Sequence, residues 1–324
     1  MTLAAPRPAP LTEAENLDIF LLVPALALDL ALGEPPLRLH PVAWMGSVIG
    51  RLEKHGHGRR PGVQLVYGAL LSLLTVAIFT LPVHFLLPRL EGFSSLAALA
   101  VGALLVKTAF SFRGLRESAL NIKRLLTEDK ITEARFELRS LVGRDTSRLD
   151  EPLIISATVE SVAENATDSF VAPVFYLLLL GVPGAVGYRV VNTLDAMIGR
   201  HGRYEYLGKF AARLDTVLNY IPARLTALLI IFAAWLYRRN RRASWRVARA
   251  HHALTESPNA GWTMAAMAGA LDVTLEKVGF YRLGTGGAPL TCRTIDDSLQ
   301  LAQAAMYTWA ALGLAIGAIR LAAT

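Results

Sequence analysis

Apolar and polar stretches alternate along this chain. The long apolar runs fall near residues 17–32, 63–87, 95–110, 170–190, 220–237 and 302–323. A helix needs about 20 mostly apolar residues to cross a bilayer, so each run is a candidate span. The second, VQLVYGALLSLLTVAIFTLPVHFLL, is the clearest; the first is short and carries Asp29. The fourth, FVAPVFYLLLLGVPGAVGYRVV, is broken by Gly181, Pro183 and Gly184. Irregular backbone at membrane depth is tolerated only where protein or a watery cavity surrounds it.

Polar segments cover 33–62, 111–169, 191–219 and 238–301. Within 111–150, acids and bases alternate around Leu, Ile and Phe at helical spacing, which predicts a water-facing amphipathic hairpin of helices. Strand signals are weak, and no internal repeat or low-complexity tract is present. The expected fold is all-α: a polytopic membrane helical protein, a single domain over 1–324, with cytoplasmic amphipathic helices in 111–169 and 238–301.

Composition sharpens this picture. The chain is 53% hydrophobic and 18% charged with a mean hydropathy of +0.39, against roughly a quarter charged in soluble domains. A formal charge of +7 could mean nucleic acid, but the arginines crowd beside apolar runs, as in YRRNRRASWRVAR (237–249). That is the signature of a cytoplasmic membrane boundary, and no interleaved basic and aromatic pattern points to RNA or DNA. Cys292 is the only cysteine, which excludes an intrachain disulfide and a thiolate metal cluster. The N-terminus has acids before its apolar run and no basic leader region, so it reads as a short polar lead into a retained helix. Basic residues in 38–60, 111–148 and 238–249 all argue for the cytoplasm. If 170–190 and 220–237 both span, the segment 191–219 lands on the opposite face. Either those two runs form a re-entrant pair or 191–219 folds back into a cavity open to the cytoplasm, and hydropathy leaves both open.

Three groups of residues carry candidate chemistry. VESVAENATDSF (159–170) sets Glu160, Glu164 and Asp168 at four-residue intervals on one helical face. A solvated face usually balances such acids with Lys or Arg one turn away, yet none lies between Pro152 and Pro173. The stripe therefore reads as a site. It extends about 12 Å along a helix axis, too far for one ion with ligands at about 2.1 Å. Two neighbours could share an ion, or the stripe could serve two ions or a phosphate–metal cluster. YRVVNTLDAMIG (188–199) adds Asn192 and Asp195, and AARLDTVLNYIPARLTALL adds Arg213, Asp215, Asn219 and Arg224. Carboxylates suit Mg²⁺ and guanidinium suits phosphate oxygens. His40 precedes Pro41 in a Pro-rich connection beside Glu34, and is rigidly placed. HGRYEYLGK ends in Gly208–Lys209 but has neither the spacing nor the hydroxyl of a Walker loop, since Phe210 follows the lysine. SPNAGW (257–262) reads as a helix start, GWTMAAMAGAL as small-residue packing, and LGTGGAPL (283–290) as a flexible loop. His251, His252 and Glu256 have metal spacing, but beside a basic helix the structural reading is the stronger.

Several of these motifs, in this order, resemble the CobD/CbiB family of cobalamin biosynthesis, the adenosylcobinamide(-phosphate) synthases. They are DLALGEP, HPVAWMG, LVGRDT, VESVAENATDSFVAPVF, GVPGAVGYRVVNTLDAMIG, ARLDTVLNYIPARL and SPNAGWTMAAMAGAL, and the likeness covers nearly the whole chain. Thr216 departs from a common second acid after Asp215, and Thr263 from a common proline. The resemblance implies a multi-pass ligase of a bacterial inner membrane, with its active site facing the cytoplasm. It would join adenosylcobyric acid to (R)-1-amino-2-propanol or its O-phosphate, consuming ATP with Mg²⁺. A carboxylate is a poor electrophile and must be activated before an amine attacks, which calls for metal ligands, cations for phosphate and a base. On that reading Glu160, Glu164 and Asp168 hold metal with Asp195 and Asp215, and Glu160 and Glu164 belong to the catalytic set. Arg144, Arg213 and Arg224 bind phosphate or the propionate, and Asn165, Asn192 and Asn219 orient these groups. His40 is the candidate base because imidazole titrates near neutral pH. The implied partners are the corrinoid acid, the amine, the bilayer and other enzymes of the pathway. The alternatives are a Mg²⁺-dependent membrane prenyl- or phosphoalcohol transferase and a non-catalytic membrane scaffold.

Overall fold

Uniform apolarity over many turns builds long helices here, and local capping decides where they stop. The computed structural model describes residues 18–323 except 35, 37, 39 and 201; the polar lead and Leu17 lie outside the described residues. A 3₁₀ turn (Asp18–Leu21) opens into α1 (Leu22–Leu32). At 11 residues, α1 is about 16 Å long, half a bilayer core, and its Asp29 is fully buried. The expected first span is therefore a short inserted helix. His40 caps α2 (Pro41–Glu53) by accepting from the Val42 N–H at 3.2 Å, with Pro41 supplying the first helical φ.

α3 (Pro61–Phe93) is the longest helix and the most exposed, with Val66, Leu70, Phe85 and Leu86 all open. An exposed apolar face of this length is at home in lipid. The Ser94 hydroxyl then accepts from the Ala97 N–H and starts α4 (Ser95–Ala109). The predicted amphipathic hairpin is present as α5 (Phe112–Thr127) and α6 (Ile131–Leu138); it buries Leu115, Ala119, Ile122 and Leu126 and turns its ion pairs to water. By length and composition, four helical stretches could cross a membrane: 61–93, 95–127, 151–198 and 292–323. A bent pair would make a fifth.

The third of these stretches does not run straight. α7 (Glu151–Ala166), capped by the Asp150 carboxylate on the Leu153 N–H, passes through a π turn (Thr167–Val171) into α8 (Ala172–Ile198). At Gly181 the backbone takes φ 65° and ψ −162°, a region open essentially to glycine alone. The two arms of α8 then fold back on each other. The Tyr176 and Tyr188 rings stack at 5.3 Å, and a β-carbon added at Gly184 would lie 2.6 Å from the Tyr176 carbonyl. From Ala172 to the break the first arm is about 14 Å long, so residues 172–198 form a helical hairpin. Its broken ends are satisfied from elsewhere. The Asp18 carboxylate accepts from the Val182 N–H at 2.9 Å, and Arg320 donates to the Leu178 carbonyl at 2.7 Å. An anion thus meets the start of one arm and a cation the end of the other, as the helix dipoles favour. At the π turn, Trp309 Nε1 donates to the Val171 carbonyl at 3.0 Å.

α9 (Lys209–Leu218) and α10 (Tyr220–Leu236) meet at a 46° bend on Asn219. Asn240 caps α11 (Arg241–His251), and α12 (Ala260–Leu271) packs closely on it: a β-carbon at Gly269 would lie 2.6 Å from the Ala243 carbonyl. The polar segment 238–301 is thus only partly what was expected. α12 is almost wholly buried, and 275–283 is not helical: β1 (Leu275–Lys277) pairs antiparallel with β2 (Tyr281–Leu283), with Leu275 opposite Leu283. Asp272 in the left-handed region ends α12, and Gly279 at φ 80° turns the hairpin. The helix start at 257–262 also moves: α12 begins at Ala260, with the Ser257 hydroxyl accepting from the Asn259 and Ala260 N–H groups. α13 (Cys292–Ala323) closes the core against α7 and α10.

Candidate active site

The fold-back at Gly181 creates the site. In a straight helix Asp168 and Asp195 would stand about 40 Å apart; here both line one cavity of about 540 Å³. Glu164 joins them from α7, Asp215 and Asn219 from α9 and its bend, and Glu256 from the turn before α12. Segment 191–219 therefore folds back against the acidic stripe and lines its cavity. Two smaller cavities adjoin. One, of about 240 Å³, lies among Arg144, Glu160, Lys277 and Tyr281; the other, of about 190 Å³, among Tyr204, Lys209 and Arg213. Arg200 lines all three, and its guanidinium lies over Gly143.

Hydrogen bonds tie the three sequence groups together. The Tyr188 hydroxyl is 2.8 Å from Asn219 Oδ1 and 3.4 Å from Asp168 Oδ1, and Asn219 Nδ2 donates to Asp215 Oδ2 at 3.0 Å. Asn192 lies beside the same Asp215 carboxylate. Asp215 Oδ1 is buried with no hydrogen-bond partner, as is the Thr167 hydroxyl in the same cavity wall. A buried carboxylate oxygen without a donor is costly unless something cationic meets it. Gly199 is required beside Asp195, because a β-carbon there would collide with Asp195 Oδ1.

Glu160 behaves differently from the rest of the stripe. Its Oε2 accepts from Arg144 Nη2 at 2.7 Å and the Tyr281 hydroxyl at 2.8 Å, while Oε1 accepts from Ser156 at 2.8 Å. Ser156 in turn accepts from the Glu276 N–H, so Glu160 fastens the β hairpin and the 143–148 loop to α7. Burial, with the Glu160 charge added, pushes the Tyr281 phenol well above its ordinary range, so it remains a donor. The stripe thus divides: Glu160 is neutralised by an ion pair, and Glu164 and Asp168 face the large cavity. The cation missing from the local sequence arrives from 16 residues upstream.

Other candidate residues are placed as follows. Arg213 lines the third cavity. Arg224 stays outside all three: it lies 3.6 Å over the Tyr220 ring and donates to Asn259 Oδ1 at 3.1 Å, holding in place a residue of the large cavity. Asn165 turns back to the Ser161 carbonyl and hydroxyl. His40 is also outside; its Nε2 meets Glu34 at 2.8 Å while Nδ1 caps α2, which leaves it no route to the acids as a base. Burial alone would raise the Glu34 pKa, but hydrogen bonds from His40 and Ser111 and the charge of Lys107 outweigh it and hold the carboxyl at about 2. His251 accepts from the Gly284 N–H and His252 stacks on Trp262, so only Glu256 of that trio reaches the site. Arg200, Lys277, Tyr281 and Thr167 were not singled out from sequence. Arg200 directly follows the quoted YRVVNTLDAMIG motif, a signal that was there to use; Lys277 and Tyr281 come from a distant hairpin and left none.

The oxygen-only donor set suits a hard cation. Among the described residues, no three His, Cys, Asp or Glu side chains converge closely enough to hold an ion unaided. That fits Mg²⁺, which keeps several waters and is commonly held by one or two carboxylates plus substrate phosphates.

The family model for the CobD/Cbib protein matches residues 22–305. The chain is 51% identical to the "Cobalamin biosynthesis protein CobD" of Dehalococcoides mccartyi over 93% of this chain and 97% of that protein. It is 43% identical to the "Probable cobalamin biosynthesis protein CobD" of Methanothermobacter thermautotrophicus, covering 92% and 98%. The protein of the same name from Thermoplasma volcanium is 36% identical, covering 90% and 94%. No solved structure matches the chain.

Proposed function

The chain belongs to the CobD/CbiB family and acts in cobalamin biosynthesis as a multi-pass membrane protein, and we propose that its step is the ATP-dependent joining of adenosylcobyric acid to (R)-1-amino-2-propanol or its O-phosphate. The reaction would take place at the inner membrane, with the cavity open to the cytoplasm. The observation that carries this reading is the convergence of Glu164, Asp168, Asp195 and Asp215 on one cavity, with Asp215 Oδ1 buried and unpartnered.

Amide formation from a carboxylate needs an activating phosphoryl or nucleotidyl group, and Mg-ATP supplies it when bound. One or two of Asp168, Asp195 and Asp215 would hold the cation together with substrate phosphates, with the Tyr188–Asn219 pair fixing the side chains of Asp168 and Asp215. Fixed ligands need no reorganisation as charge develops, which is where electrostatic catalysis gains most. Lys277 lines the second cavity without being tied up in the Glu160 ion pair, and would orient the propionate carboxylate. Glu164, open to the cavity and standing between the two compartments, is placed to take the proton from the attacking amine.

Purified protein in detergent, given adenosylcobyrate, each amine form and labelled Mg-ATP, tests the proposal. The expected result is a corrinoid amide formed with one ATP consumed per bond, and a rate at least about 10²-fold lower for Glu164→Gln at normal protein levels. Turnover of a lipid diphosphate without ATP would point to a transferase instead and end the ligase reading.

A further inference from the structure

The 190 Å³ cavity has no assigned ligand, yet its walls are strongly one-sided in charge. Among the described residues, Arg200, Lys209 and Arg213 line it against a single acid, Glu205, which already has a bonding partner. None of the three cations forms an ion pair with a carboxylate among the described residues. Like charges gathered around a small cavity repel one another unless an anion enters.

The helix that floors the cavity points the same way. α9 begins at Lys209, with Gly208 before it; no side chain caps it and its first turn holds no acid. Its leading N–H groups and the positive end of its dipole are therefore unanswered, and a lysine at that end makes the local field more positive still. Gly208 is fixed by contact, since a β-carbon there would strike the Ile198 carbonyl. Ala212 adds a wall with almost no side chain, which leaves room over the helix start. The Gly-Lys pair that fails as a Walker motif in sequence thus opens a helix whose side, through Lys209, Ala212, Arg213 and Thr216, lines the cavity.

We propose that this cavity is a phosphate subsite, in which Lys209, Arg213 and Arg200 bind a terminal phosphate monoester. Because Gly199, Arg200, Ala212 and Thr216 are shared with the carboxylate cavity, the bound phosphate sits beside the metal-holding acids. The ligand is the end phosphate of the nucleotide or the phosphate of a phosphorylated amine. The choice of ligand rests on the ligase reading; the existence of the subsite does not.

The test begins with isothermal titration of inorganic phosphate into the full-length protein in detergent, without Mg²⁺ or other substrates. Wild type should bind phosphate, Lys209→Gln and Arg213→Gln should each bind at least about tenfold more weakly, and Lys209→Arg should restore most of the affinity. No binding by wild type, or equal binding by Lys209→Gln, overturns the proposal. Amide assays then identify the source: a raised KM for ATP alone assigns the nucleotide, and a raised KM for the phosphorylated amine alone assigns the amine. If both KM values stay unchanged, the subsite has no part in the reaction and the proposal falls. Lys209-dependent phosphate binding in a protein that forms no amide would sink the ligase reading and leave the subsite standing.

Discussion

Asp215 answers to two demands at once. Asn219 holds one of its oxygens, and the other is left buried without a donor. Glu160, eight residues before Asp168, has every oxygen engaged and answers to stability instead. Glu160→Ala would strand Arg144 in a largely buried position, and we expect a loss of about 3–5 kcal/mol, read as a lower unfolding midpoint in detergent. A double variant that also replaces Arg144 by Met should recover much of that loss; no recovery would mean the pair is not the cause. Glu34 gives a pH signature. Its pKa is depressed to about 2, so its stabilising bonds are fully present above the ordinary value of 4.5 and are lost as pH falls towards about 2. The gap in stability between wild type and Glu34→Gln should therefore be constant above pH 4.5 and close below it. A gap that closes near neutral pH would assign it to another group. At this scale the sequence placed the three acids on one helical face but did not show how they divide. A local pattern cannot reveal that Arg144 and Tyr281 reach Glu160, because those contacts come from loops placed by tertiary packing.

Among the elements, the hairpin of α8 decides whether a site exists. GVPG was readable as a break, since glycine and proline interrupt a helix wherever they stand. The reversal was not readable, because it depends on Asp18 and Arg320, more than a hundred residues away on either side. Gly181→Ala places a β-carbon against the Asp18 carboxylate and forces a glycine-only backbone region, at a cost of about 1–3 kcal/mol. It should also reduce turnover more than it reduces folded protein, because Asp168 and Asp195 meet only through that bend. Wild-type turnover in a folded Gly181→Ala variant would contradict the hairpin's role. The π turn matters in the same way: it lies between Glu164 and the return arm and frees a carbonyl that Trp309 then binds.

For the whole molecule, the long apolar runs were legible because lipid contact demands uniform apolarity over many turns, and α3 still shows that face. The short α1 and the β hairpin were not, since burial in protein and burial in lipid select the same residues, whereas GWTMAAMAGAL was legible as the small-residue packing that α12 shows. The three adjoining cavities gather polar groups from α7, α8, α9, the turn before α12 and the hairpin at one place. The central claim is that the acids of the large cavity hold a divalent ion together with nucleotide phosphates. Electron paramagnetic resonance of Mn²⁺, in place of Mg²⁺, titrated into the purified protein with and without ATP tests it most directly. Bound Mn²⁺ should rise sharply with ATP, weaken at least about tenfold in Asp215→Asn and Asp168→Asn, and remain in Glu34→Gln. Mn²⁺ binding that ignores ATP, or that survives intact in Asp215→Asn, would contradict it.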